Sequence, residues 1–160
     1  MAVESPTTRR SSMGDFYRWR DMECIESVSA MRADVWRWMD ENWRDYVCHA
    51  ADLKRYPMAD KVPHGSGVYF IWDDSGALLY VGQSTGLRPR ICQHRRMPGA
   101  AYWSYIPLNS WGAAEQVEGC YIRALGPLLN KGTTIRMWPG HQDMVAAIVE
   151  ATRSAETFSA

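Results

Sequence analysis

The residues best equipped for chemistry lie in the second half of the chain. They are two phenols, Tyr69 and Tyr80, a guanidinium and an imidazole four apart, Arg90 and His94, a carboxyl at Glu118 and an amide at Asn130. Between them these types can move protons, hold an anion and carry a hard cation. Tyr69 and Tyr80 fall on two short apolar runs that read as adjacent antiparallel strands, so their phenols can share one face of a sheet. Arg90 and His94 are neighbours on one face of the helix that follows. Residues 83–96 also contain Arg88, Arg95 and Arg96 and no acid, a local basic patch on a chain whose formal net charge is zero. A zero balance argues against a generic polycationic coat for nucleic acid, yet recognition depends on where charge sits.

The elements that must position these groups can be read from hydrophobic periodicity. Residues 68–72 and 77–81 are β-branched and aromatic runs around an Asp-Asp-Ser-Gly turn, the signature of a β-hairpin. Residues 82–86 form a polar loop. Residues 87–96 read as a helix with Pro89 in its first turn, where a missing N–H does no harm. Residues 101–108 give a third strand ending at Pro107. Residues 111–125 give a helix stopped by Gly126-Pro127, and residues 143–151 a last helix. Upstream, residues 1–13 form a polar arm, and helical spacing runs from about residue 27 to residue 51 through Val28, Met31, Val35, Trp36, Met39, Trp43 and Val47. Pro57 and the Pro63 to Gly67 run then break the chain. The expected division is an N-terminal arm and Trp-rich helical extension over residues 1–62 and a second unit over residues 63–160.

At 160 residues, with 46% hydrophobic and 22% charged, the chain has globular composition and buries a core without staples. The four cysteines, Cys24, Cys48, Cys92 and Cys120, form no close pair of the kind zinc sites use. No apolar run reaches the length of a membrane span, and the first residues lack the apolar core of a signal peptide. The expectation is a cytoplasmic protein with reduced thiols and no membrane partner. Eight tryptophans are many for this length. Those of the N-terminal helix either pack on the sheet or in a dimer interface, or stack on unpaired bases.

The order Gly67-Val68-Tyr69, Tyr80-Val81-Gly82, Arg90, His94, Glu118 and Pro127 to Asn130 resembles the GIY-YIG nuclease superfamily. Eleven residues separate the two tyrosines, eight separate Gly82 from Arg90, four more reach His94, and twelve lead from Glu118 to Asn130. The resemblance covers residues 65–131, about 40% of the chain. Valine stands for isoleucine in both name-giving motifs, which keeps their β-branched character. Gly119, directly after Glu118, costs a helix about 1 kcal/mol against alanine and allows close packing there.

The resemblance implies an α+β fold, with a three-stranded antiparallel sheet flanked by helices. It implies a Mg²⁺- or Mn²⁺-dependent endonuclease that hydrolyses phosphodiester bonds, with DNA expected ahead of RNA. Glu118 would be the metal ligand, since magnesium accepts few protein carboxylates and keeps several waters. Glu115, one turn earlier, is a rival. Arg90 would face the scissile phosphate. Tyr69 would take a proton from the attacking water, which requires a phenol lowered from its usual value near 10 by a metal-bound water or Arg90; His94 is the alternative base. Tyr80 and His94 would otherwise orient water or phosphate, and Asn130 would fix the site by hydrogen bonds. Gly82, Gln83, Ser84, Arg88, Arg95 and Arg96 are the candidate substrate contacts. One such site cuts one strand, so double-strand breaks need a homodimer or two nicks. The alternative is a nuclease-like module that binds nucleic acid or a protein without cutting.

Overall fold

A computed structural model describes residues 25–130, 132 and 134–158, and the side chains of residues 31–130, 132 and 134–157. The expected arm over residues 1–13, Cys24 and the Val28 side chain lie outside them. The element order is α1 (Ile25–Asn42), β1 (Tyr56–Pro57), β2 (Gly67–Trp72), β3 (Leu78–Ser84), α2 (Leu87–His94), β4 (Tyr102–Pro107), α3 (Trp111–Leu125) and α4 (His141–Phe158). The fold is α+β, and its strands form one antiparallel sheet in the order β1-β4-β2-β3.

Several expectations are corrected: residues 82–84 continue β3 instead of opening the polar loop, and α4 runs over His141–Phe158 and not only residues 143–151. The sheet has four strands and not three, because Tyr56 and Pro57 pair with Trp103 and Tyr102 at the edge of β4. Proline signals a chain break in the sequence, but an edge strand needs no second ladder donor, so Pro57 is tolerated there. The N-terminal helix ends at Asn42 and does not run to residue 51. Trp43–Tyr46 and Ala50–Asp52 are short 3-10 turns instead. The apolar spacing continues past Asn42 because those turns still pack inward, with Ala50 buried and Trp43, Tyr46 and Val47 against the same core.

β2 is paired on both sides and all six of its residues are buried. Its alternation divides the interior into two layers. Val68, Phe70 and Trp72 join Val35 and Met39 of α1, Val117, Cys120 and Tyr121 of α3, and Met144 and Ile148 of α4. Tyr69 and Ile71 face the opposite way, toward Leu87 and Ile91 of α2, Met58, Val62 and Trp103. The sheet therefore separates α2 from the other three helices.

The extension is tied to the rest by specific bonds. The Tyr121 hydroxyl donates to the Tyr46 carbonyl at 2.7 Å and accepts from the Cys48 N–H at 3.1 Å. The Trp138 indole donates to Asp40 at 3.1 Å. Trp36 and Trp43 are partly buried against the core, which is the packing role weighed for them. Cys48, Cys92 and Cys120 are free thiols. Among the described residues, no helix is long and apolar enough to cross a membrane.

α3 has defined ends. The Ser110 hydroxyl accepts from the Ala113 N–H, and Gly126 closes the helix in the left-handed region at φ 55° with its N–H donating to Ile122.

Candidate active site

The hairpin register places the two phenols. Tyr69 lies opposite Gly82 and Ile71 opposite Tyr80, so Tyr69 and Tyr80 are diagonal neighbours on the α2-facing side. Their ring centroids are 6.1 Å apart. His94, in the last turn of α2, completes the group. Its ring lies 5.3 Å from that of Tyr69 and 5.0 Å from that of Tyr80. His94 Nε2 and the Tyr69 hydroxyl oxygen are 2.8 Å apart, hydrogen-bond distance.

Gly82 is the steric condition for this arrangement. A Cβ there would overlap the Tyr69 hydroxyl and ring and come within 2.7 Å of Tyr80 Cε1. The Tyr69 phenol thus leans across β3 through the space that a side chain would fill, toward the open edge of the sheet. At that edge, groups from both layers act on it. Arg90 from α2 pulls its pKa down, and Glu118 from α3 pushes it up.

Burial dominates the balance. Desolvation and the neighbouring Tyr80 hold the Tyr69 phenol well above its ordinary value of 10, and Arg90 only partly offsets them. The lowering expected for a phenolic base is therefore reversed in this protein: without a bound cation Tyr69 is a neutral acid. His94 moves the other way. Desolvation first, and then the charge of Arg90, lower its pKa below 6.5, which leaves a neutral imidazole able to accept a proton near pH 7.

Glu118 is the electrostatic outlier. Desolvation and then the nearby Glu115 carboxylate raise its pKa from 4.5 to about 7, against an opposing pull from Arg90. No ion pair or hydrogen bond to its carboxylate forms among the described residues. Glu115 is raised as well, by burial, with Arg32 opposing. Glu115, the rival ligand in the sequence, acts here on Glu118 as a like charge, which follows from the one-turn spacing of the two acids. Gly119 brings Met137 close to this turn, where an added Cβ would stand 2.5 Å from its sulfur.

Asn130 holds the strand between the site's two β3 residues. Its Oδ1 accepts from the Val81 N–H and its Nδ2 donates to the Val81 carbonyl, both at 2.7 Å. Both ends of the amide are spent on the free edge of β3, so its part is to position Tyr80 and Gly82.

The remaining candidates divide. Arg90 is exposed, with Nη1 donating to Gln93 at 3.3 Å. Arg88 donates to the Val62 carbonyl at 2.9 Å, and Arg95 to the carbonyls of Met58 and Asp60 at 2.7 and 3.0 Å. These two staple residues 58–62 to α2. Arg96 is exposed beyond the helix end. Ser84 is occupied with Gly86, accepting from its N–H and donating to its carbonyl. Gln83 points to the α3 side of β3, because it pairs with Val68. Its Oε1 is buried without a partner among the described residues.

These groups fit one hard cation with few protein ligands. An unpaired carboxylate kept partly protonated by burial and then by a like charge would be relieved by a divalent ion, and an orphaned amide oxygen is the right donor type. No cluster of three or more His, Cys, Asp or Glu forms a larger site among the described residues. No protein-family model matches the chain, and no curated protein matches it.

Proposed function

We propose that the chain is a divalent-metal-dependent endonuclease that hydrolyses phosphodiester bonds, with DNA as the expected substrate. One observation carries this reading. Tyr69, Tyr80 and His94 are in mutual contact where Arg90 and Glu118, from helices on opposite faces of the sheet, both act on the Tyr69 phenol. The resemblance of the same residues to the GIY-YIG motifs supports it independently of the geometry.

In this reading Arg90, exposed at the rim, takes the scissile phosphate with its planar fork. Glu118 would hold the Mg²⁺ or Mn²⁺ ion, with Gln83 a second oxygen donor on the same side of the strand. Bound there, the cation supplies Lewis-acid polarisation of the phosphate and acidifies nearby water. Because Tyr69 is a neutral acid and His94 a neutral base, the proton path runs through both. The attacking water gives its proton to the Tyr69 oxygen as Tyr69 passes its own to His94 Nε2. This direction requires His94 to carry its resting proton on Nδ1. A new P–O bond forms to the water oxygen, the bond to the leaving sugar oxygen breaks, and that oxygen takes a proton from solvent. Tyr80 walls the pair from one side, and Asn130 keeps β3 in register with it.

The test is cleavage of plasmid and oligonucleotide substrates in Mg²⁺, Mn²⁺ and EDTA by the wild type, Glu118→Ala and Arg90→Ala. Metal-dependent cutting that both variants lose is expected. Undiminished cutting by both variants would overturn the assignment.

A further inference from the structure

We propose that Tyr105 and Tyr56 form a stacking subsite for an unpaired nucleobase on the same face of the sheet as the catalytic group, on the β4 and β1 side of it, so that the substrate is single-stranded or splayed nucleic acid. This rests on the nuclease reading and adds the substrate class to it.

The α2-facing side of the sheet carries more aromatic surface than the catalytic group uses. Tyr105 of β4 lies directly opposite Tyr69 of β2, so their Cβ atoms are about 5 Å apart, as cross-strand partners are. On the same face Trp103 stacks on Tyr105, with centroids 5.5 Å apart and planes at 26°. It also stacks on Tyr56 of β1 at 4.9 Å and 26°. Trp103 is fully buried, whereas Tyr56 and Tyr105 are only partly covered. The indole is thus a rigid floor under two partly open phenol rings. Its N–H has no acceptor among the described residues.

Charge identifies the occupant. Lys54 Nζ lies over the Tyr56 ring, 5.1 Å from its centroid, so a base that stacks there displaces the ammonium toward the adjoining phosphate, and α2, on the same face, belongs to the acid-free stretch of residues 83–96. A polyanion with flat apolar groups matches basic edges around open aromatic rings. Within a duplex the base faces are covered by their neighbours, so only an unpaired base presents one to Tyr105. With a formal net charge of zero, diffuse attraction for phosphates is weak, and stacking supplies a larger share of the affinity.

Fluorescence-anisotropy titrations in EDTA, where nothing is cut, compare oligothymidylate with an abasic deoxyribose-phosphate chain of equal length. The wild type is expected to prefer oligothymidylate by roughly 5- to 150-fold per stacked base. Tyr105→Leu and Tyr56→Leu should lose preference while binding the abasic chain as the wild type does. Tyr105→Phe, which keeps the ring, should retain it. The subsite is refuted if the wild type shows no preference, if both Leu variants keep it, or if they weaken both chains alike. Metal-dependent cleavage by a wild type without base preference would overturn the subsite alone. Absence of any metal-dependent cleavage would overturn the nuclease reading.

Discussion

Replacing Glu118 by glutamine should make the protein more stable at alkaline pH while abolishing its response to divalent cations. A rise of the Glu118 carboxyl from 4.5 to about 7 corresponds to about 3 kcal/mol of cost for the ionised form. The side chain keeps part of its exposure, and solvent screening reduces this to roughly 1–2 kcal/mol. The sign follows from linkage. A carboxyl whose folded pKa is raised stabilises the fold below its unfolded value of 4.5, and that contribution disappears as pH rises through about 7. Glutamine keeps the volume without the charge. The variant should therefore melt higher than the wild type above about pH 8, by roughly 2–8 °C for a domain of this size, and the gap should close toward pH 4.5. Mg²⁺ should raise the wild-type melting temperature, because a ligand of the folded state alone stabilises it, and should leave the variant unmoved. Calorimetry across pH, with and without Mg²⁺, measures both effects. A variant less stable than the wild type at alkaline pH, or one that Mg²⁺ still stabilises fully, would refute the reasoning about this carboxyl.

Three further outcomes are expected. Cation binding needs ionised Glu118, so at sub-saturating metal, cleavage should rise with pH through about 7; Glu115→Gln, by removing the like charge, should move that limb to lower pH in a pH–rate profile. Gly82→Ala places a methyl against Tyr69 and Tyr80 and should cost about 1–3 kcal/mol in denaturant unfolding together with most of the activity. Arg90→Ala should lower kcat roughly 100- to 1,000-fold in single-turnover cleavage, and Arg90→Lys should restore little, since a point charge cannot form the two-pronged phosphate contact.

The hairpin, β4 and α3 were legible in the sequence because each carries a clear period and a clear stop: Gly76 in the turn, Pro107 as the last residue of the strand, Gly126-Pro127 after the helix; α2 was legible from Pro89 in its first turn. The convergence of Tyr69 and Tyr80 was legible for the same reason, since a short turn limits the register. β1 was not, because two residues carry no period and one of them is proline. Nor was the end of α1, where apolar spacing persists through turns that pack on the same core. The direction of the Tyr69 shift was hidden for a different reason. It depends on how deeply β2 is buried between two layers, which is a property of the assembled sheet and not of any local stretch. The use of Arg88 and Arg95 as staples likewise depends on carbonyls some thirty residues away.

The Asn130 amide, described above as a positioning device, also decides what the sheet can join. β3 is an edge strand, and an edge offers its free N–H and C=O groups to any extended chain that approaches. Asn130 occupies both groups of Val81, and the Leu129 N–H takes the carbonyl of Leu79 at 2.9 Å. The segment after α3 therefore occupies the place of a fifth strand without being one. Loss of that amide would leave an unpaired rung beside Tyr80, flanked by Leu128 and Leu129, which are already exposed. The same contact that aligns the site thus closes the Val81 rung of this edge to any other extended chain.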